Sequence, residues 1–75
     1  MGVHMEKYRK LGLSIAHYRG LAGLTQEELA DLAHISRGYL SHIEAPNMET
    51  SFSIATLFDI CDALHIEPKA LFEVW

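Results

Sequence analysis

The sequence predicts an all-α domain of five short helices, and its length, its apolar spacing and its capping residues all support this fold class. With 75 residues, 49% of them apolar, the chain has enough material for one hydrophobic core but not for two. Apolar residues recur at intervals of three and four, the period of an amphipathic helix. Residues that start and stop helices separate these segments, and no segment requires a β-strand.

The first helix is predicted over residues 7–21. Its inward face consists of apolar residues spaced by four and three, Leu11, Ile15 and Tyr18. Gly20 and Gly23 mark its end. We interpret residues 1–5 as a cloning remnant or a disordered start, followed by a single domain over residues 6–75.

Two more helices follow closely. Thr25 and Glu28 form a capping-box pattern, in which the hydroxyl caps the helix and the carboxylate reaches back, so a second helix begins here. Its predicted apolar side is Leu29, Ala30, Leu32 and Ala33. Ser36 is the predicted N-cap of a third helix, which carries Leu40 and Ile43 inward and ends before Pro46.

Two further elements follow, and the second of them is brief. Ser51 or Ser53 opens the fourth helix, whose predicted buried stripe is Leu57, Ile60, Cys61 and Leu64. Pro68 suits the first position of a fifth element. We expect Leu71 and Phe72 in that element to close the core.

The charge of the chain excludes binding of nucleic acid by bulk attraction. Residues 1–24 carry four basic residues and one acidic residue, a charge of +3, whereas residues 25–75 carry two basic and nine acidic residues, a charge of −7, and the net charge is −4. An anionic partner would therefore have to find a local site.

Composition also limits the class of protein. Cys61 has no partner for an internal disulfide, and the sequence has neither a signal-like segment nor an apolar run long enough to cross a membrane, so we expect a cytoplasmic protein. The histidines are scattered rather than paired at metal-ligand spacing. The sequence shows no nucleophile with a neighbouring base and no glycine-rich phosphate loop. We expect no enzyme activity, metal or cofactor.

The most informative segment is the pair of short helices over residues 25–44. Ala30 is small enough to let the third helix cross the second closely, and Ile35 in the turn anchors the third helix to the core. The opposite face of that helix is then exposed, and it consists of Ser36, Arg37, Gly38, Ser41 and His42. All of these except Gly38 carry a hydrogen-bonding group, and an α-helix fits the major groove of DNA, where base edges offer partners for such groups.

Two stretches, LTQEELA over residues 24–30 and ISRGYLSHIE over residues 35–44, resemble the phage-repressor helix-turn-helix family, the Cro/C1 or xenobiotic-response-element type. The resemblance covers residues 11–72 and continues in TLFDICDAL over residues 56–64. It implies a lambda-repressor-like fold and a sequence-specific regulator of transcription, by default a repressor, that binds double-stranded DNA through residues 36–44.

The resemblance also implies roles for single residues. Gln26, at the start of the second helix beside Thr25, corresponds to a phosphate contact. Ser36, Arg37, Gly38 and His42 correspond to positions that touch bases or nearby phosphates, and Arg37 is the expected base contact because a guanidinium can bond two guanine acceptors at once. Tyr39 is expected to reach the DNA backbone through its hydroxyl. Arg19 and Glu44 correspond to a buried ion pair.

The sequence departs from the family pattern at three places, and the third predicts weak DNA binding. His34 occupies a turn position where glycine is preferred, so a left-handed backbone is expected there at some cost. Gly38 removes one side chain from the outward face. Glu49 lies in a loop where many relatives carry basic residues, and fewer phosphate contacts mean a shallower dependence of affinity on salt.

Several alternatives remain at the level of sequence. The acidic balance also fits a protein-interaction module of the same fold, such as an antitoxin or a coregulator. Arg37 could be a solvated charge, and His42 could make binding sensitive to pH. The apolar C-terminal end, which includes Val74 and Trp75, also suggests a homodimer, because Trp75 at the last position is hard to bury within 75 residues and could meet a second subunit.

Overall fold

The computed structural model describes residues 4–47 and 50–73, and within them the chain is all-helical, which confirms the predicted fold class. Four α-helices are followed by one 3₁₀-helix in place of a fifth α-helix. Their bounds are Met5–Leu21 for α1, Gln26–Ala33 for α2, Arg37–Glu44 for α3, Ile54–Leu64 for α4 and Pro68–Phe72 for the 3₁₀-helix.

The first helix begins two residues earlier than the sequence pattern indicates, at Met5. The first three residues of the supposed cloning remnant lie outside the described residues. So do Met48, Glu49, Val74 and Trp75, together with the expectations attached to Glu49 and to the last two residues.

Side-chain caps fix the starts of the three later α-helices. At α2 the Glu28 amide donates to the Thr25 hydroxyl at 3.1 Å and the Thr25 amide donates to the Glu28 carboxylate at 2.8 Å, so the capping box is confirmed. Ser36 accepts from the Tyr39 amide at 3.0 Å. Of the two candidate serines for α4, Ser53 is the cap, and it accepts from the amide of the third helical residue at 3.1 Å.

The ends of α1, α2 and α4 share one geometry. In each, a residue with positive φ is followed by an apolar residue whose amide donates back to a carbonyl in the last turn, as in the Schellman motif. The residues with positive φ are Gly23 at 73°, His34 at 62° and His65 at 57°. The amides that follow belong to Leu24, Ile35 and Ile66, with bond lengths of 3.2, 3.0 and 3.0 Å. The left-handed backbone predicted at His34 is confirmed.

The core draws on every helix, and its most deeply buried large side chains are Ile15, Leu29, Leu40, Ile60 and Leu71. The predicted stripe of α4, including Cys61, is buried throughout. Burial, with the nearby charge of Asp62, raises the pKa of the Cys61 thiol to about 11, so the side chain is a neutral apolar group at physiological pH.

Two core expectations are wrong. Leu32 is 54% exposed, because α2 packs on α3 and α4 through the face that carries Leu29, Ala30 and Ala33, and Leu32 lies beyond the edge of that face. Phe72 is 44% exposed, since the 3₁₀-helix turns Leu71 inward and leaves its neighbour at the surface.

Candidate nucleic-acid interface

Helix α3 is anchored on one side and exposed on the other. Leu40 and Ile43 are buried in the core, and Glu44 at the end of the helix is buried as well. The opposite side carries Ser36, Arg37, Gly38 and His42, all exposed, and the half-buried Ser41 and Tyr39. The structure therefore brings the outward residues named from the sequence onto one continuous face.

The polar groups of this face have few internal partners. Within residues 4–47 and 50–73, the Arg37 guanidinium makes no hydrogen bond or ion pair, so its donors face solvent. A Cβ atom placed on Gly38 would meet no atom within 4 Å, which shows that the space beside this position is open. The donors of Arg37 are therefore available to an external acceptor.

The Tyr39 hydroxyl, which is expected to reach the DNA backbone, lies near a carbonyl group in the free protein. The hydroxyl lies 3.5 Å from the carbonyl oxygen of Ser51, in the segment before α4, at the outer limit for a hydrogen bond. To donate to a phosphate instead, the hydroxyl would have to leave this contact.

The start of α2 lies beside α3. Thr25 acts as a cap, because its hydroxyl accepts from the Glu28 amide. The side-chain amide of Gln26 donates to the Glu44 carboxylate at 3.0 Å. No local pattern in the sequence signals this bond, because it joins residues 18 positions apart.

Arg19 and Glu44 form a partly buried ion pair between the ends of α1 and α3. The Nε atom of Arg19 lies 2.9 Å from Oε2 of Glu44, and the two side chains are 21% and 4% exposed. The hydrogen bond to Glu44 is the main cause that raises the pKa of Arg19 above its usual value, against the opposing effect of burial. A further bond of 2.8 Å from Arg19 reaches the Leu24 carbonyl.

Gly12 in α1 sets how closely α1 approaches α3. A Cβ atom at this position would overlap the carbonyl oxygen of Ile43 and lie 3.0 Å from its carbonyl carbon. The backbones of the two helices touch here, and only glycine permits that approach. The sequence pattern gave no signal for this contact.

The surroundings of α3 limit other kinds of site. Exposed acidic residues, Glu27, Glu28 and Asp31, follow along α2. The part of the chain that the structure describes contains no group of His, Cys, Asp and Glu that could hold a metal ion. Among the same residues, no helix has both the length and the apolar character needed to cross a membrane.

Comparison with known proteins assigns the chain to a family. Two solved structures share the fold: the restriction-modification controller protein C.AhdI from Aeromonas hydrophila, with a TM-score of 0.82 and 31% identity over 89% of this chain and 98% of that one, and the clp gene regulator ClgR from C. glutamicum, with a TM-score of 0.80 and 29% identity over 88% and 83%. No functionally curated protein matches the sequence. The helix-turn-helix family model matches residues 15–71, and the chain therefore belongs to the Cro/C1-type helix-turn-helix family of DNA-binding regulators.

Proposed function

We propose that the protein is a sequence-specific repressor of transcription that places α3 in the major groove of DNA. The observation that carries this proposal is the two-sided character of α3, whose Leu40 and Ile43 fix it to the core while Arg37 remains available outside. The two similar structures belong to a controller protein and a gene regulator, which supports a role in gene control. Repression would follow if the bound protein excludes polymerase from the site.

In this proposal the exposed face of α3 reads the bases. Arg37 bonds O6 and N7 of one guanine, which is worth about 1–3 kcal/mol of discrimination against another base. Ser36, Ser41 and His42 offer further hydrogen bonds on the same face. Gly38 leaves a gap in the readout between Arg37 and Tyr39.

Backbone contacts come from the start of α2 and from the flank of α3. Gln26 donates to a phosphate, and Thr25 holds the first turn of α2 in the geometry that presents the Gln26 amide. Tyr39 becomes a phosphate contact once its hydroxyl leaves the Ser51 carbonyl. The acidic residues of α2 weaken the attraction of the domain for DNA, so affinity should depend little on salt.

The test compares Arg37→Ala with a control, Lys69→Ala. The control also removes one positive charge, but from the 3₁₀-helix, where Lys69 is 76% exposed. Duplexes would be selected from a random pool, and affinity measured on the selected site and on unrelated DNA. We expect Arg37→Ala to lose about 1–3 kcal/mol on the selected site and much less on unrelated DNA. Lys69→Ala should bind as the wild type does.

Two results would redirect this proposal. Equal losses on every duplex would make Arg37 a phosphate contact rather than a base contact. No binding to any duplex at 50 mM salt, a low-salt condition that favours phosphate contacts, would favour the protein-interaction module. Transcription from a promoter that overlaps the selected site tests the repressor role, and it should fall when the protein is added.

We also propose that two copies form a homodimer. Two α3 helices on one side of DNA, with centres about 34 Å apart, would match the two halves of a palindromic site. The apolar surface available for it includes Phe72 together with Ile54 and Phe58 of α4, which are 63% and 47% exposed. Leu71 is fully buried and is not part of it. A groove of about 420 Å³ lined by Tyr8, Leu11, Phe52, Ile54, Leu57 and Phe72 adjoins this surface.

Sedimentation equilibrium of wild type and Phe58→Asp tests the homodimer. The wild type should sediment as a dimer and the variant as a folded monomer, since a carboxylate cannot be buried in an apolar interface without a partner. Leu21→Asp is the control, because Leu21 is an apolar residue that is 70% exposed at the end of α1 and is not part of the proposed surface. If both variants dimerise, the interface lies elsewhere.

A further inference from the structure

The Glu44 carboxylate joins three helices at the edge of the proposed DNA interface. Arg19 donates to its two oxygens at 2.9 Å through Nε and Nη2, and Gln26 donates to Oε1 at 3.0 Å. The Glu44 side chain is only 4% exposed. A buried carboxylate at the end of α3 therefore holds the amide of the first residue of α2.

This bond leaves Gln26 able to hold a second partner. A side-chain amide has two N–H donors and one carbonyl acceptor, and the bond to Glu44 uses one donor. Gln26 is half-buried, at the exposed start of α2. The second N–H is available to an anion such as a phosphate oxygen.

The ion pair with Arg19 reduces the repulsion that the Glu44 carboxylate would otherwise exert on a DNA phosphate. Arg19 donates to both oxygens of Glu44, and its guanidinium carries a positive charge at physiological pH. The charge of Glu44 is thus balanced at close range. What remains is a fixed acceptor that sets the position of the Gln26 amide.

Fixing this amide in the free protein lowers the cost of binding. A glutamine side chain loses rotamer entropy when it is ordered. In this protein the Gln26 side chain is already ordered by folding, so binding to DNA does not incur that entropy loss again. Because Glu44 belongs to α3, the same bond also fixes the phosphate contact of α2 relative to the recognition face.

We infer that Glu44 is a positioning residue, which acts through Gln26 to set the phosphate contact and its register with Arg37. The inference rests on the proposed DNA binding. It assigns Glu44 a role in affinity in addition to its part in the fold, and it makes the affinities contributed by Glu44 and Gln26 dependent on each other.

A double-mutant cycle in DNA affinity tests the inference, with Glu44→Asp, Gln26→Ala and the double variant. Aspartate keeps the charge for the flexible Arg19 but withdraws the carboxylate from Gln26. We expect Glu44→Asp to weaken binding about three- to tenfold when Gln26 is present. In the Gln26→Ala background the same change should have no effect on affinity. Equal losses in both backgrounds would overturn the inference.

Two further measurements keep the test decisive. Glu44→Gln repeats the cycle if the aspartate variant does not fold, because it keeps the length of the side chain while its single carbonyl oxygen cannot serve Arg19 and Gln26 as the carboxylate does. In the free wild-type protein, NMR relaxation of the Gln26 side-chain amide should show an ordered group, and Glu44→Asp should make it mobile. A mobile amide in the wild type would overturn the inference without reference to DNA.

The outcomes separate this inference from the proposed function. Wild-type protein that binds no duplex would overturn DNA binding and, with it, the role of Glu44 in affinity, even if the amide is ordered. Wild-type protein that binds DNA without coupling between Glu44 and Gln26 would overturn the inference alone.

Discussion

Single residues decide how α3 is presented, and Gly12 is the one with least freedom to change. It packs against the carbonyl group of Ile43. Ile43 directly precedes Glu44, which pairs with Arg19. Backbone atoms at this contact cannot move aside as a flexible side chain would. The tilt of α3, and with it the direction of Arg37, depends on the absence of a side chain at position 12.

We predict that Gly12→Ala destabilises the protein by about 1–3 kcal/mol, because the added methyl group overlaps backbone. Gly20→Ala is the matched control in the same helix, since a Cβ atom there meets nothing within 4 Å. Alanine propagates a helix better than glycine by about 1 kcal/mol, so the control should be as stable as wild type or more so. Thermal unfolding measures both. Equal melting temperatures for the two variants would contradict the close contact.

At the scale of helices, the ends of α2 and α4 share a histidine in the left-handed region followed by isoleucine, AHI over residues 33–35 and LHI over residues 64–66. The isoleucine amide closes each end, and the isoleucine packs against the core. The imidazole is exposed in both. These positions need a backbone conformation that histidine adopts at a cost and that glycine adopts freely.

We predict that His34→Gly and His65→Gly each stabilise the protein by up to about 1 kcal/mol, through relief of the left-handed conformation. The controls are His34→Ala and His65→Ala, which remove the imidazole but keep the strain. Urea unfolding should place each glycine variant above its alanine counterpart. If alanine stabilises as much as glycine, the imidazole and not the backbone limits stability.

The sequence predicted those parts of the fold that depend on neighbouring residues. Caps at Thr25 and Ser36 and the left-handed turn at His34 involve partners within a few positions, so local chemistry indicates them. Exposure of Leu32 was missed because it depends on which helices cover α2. The Gln26–Glu44 bond was missed for the same reason, since it exists only once α2 and α3 have packed.

For the candidate site, the outward face of α3 followed from helical period and the predicted burial of Leu40 and Ile43. The period could not reveal that the Tyr39 hydroxyl contacts the Ser51 carbonyl. Nor could it reveal that backbone contact at Gly12 fixes the height of α3 over the core.

Across the whole molecule, the distribution of charge favours a small DNA interface over binding through a broad basic surface. The excess of positive charge belongs to residues 1–24, while the remaining residues carry −7. Because the net charge of residues 25–75 does not attract DNA, contact is expected only where particular side chains can donate to it, at Gln26 and on the exposed face of α3. The apolar surface of α4 and Phe72 should be free of DNA and available to a second copy.

The location of the DNA interface can be tested by NMR. Backbone and side-chain shifts would be mapped while the protein is titrated with a duplex selected from a random pool. The largest changes should occur at Gln26 and across residues 36–42, with little change at Phe58 on the apolar surface of α4. Changes centred on α4, with the signals of Arg37 and its neighbours unmoved, would contradict it.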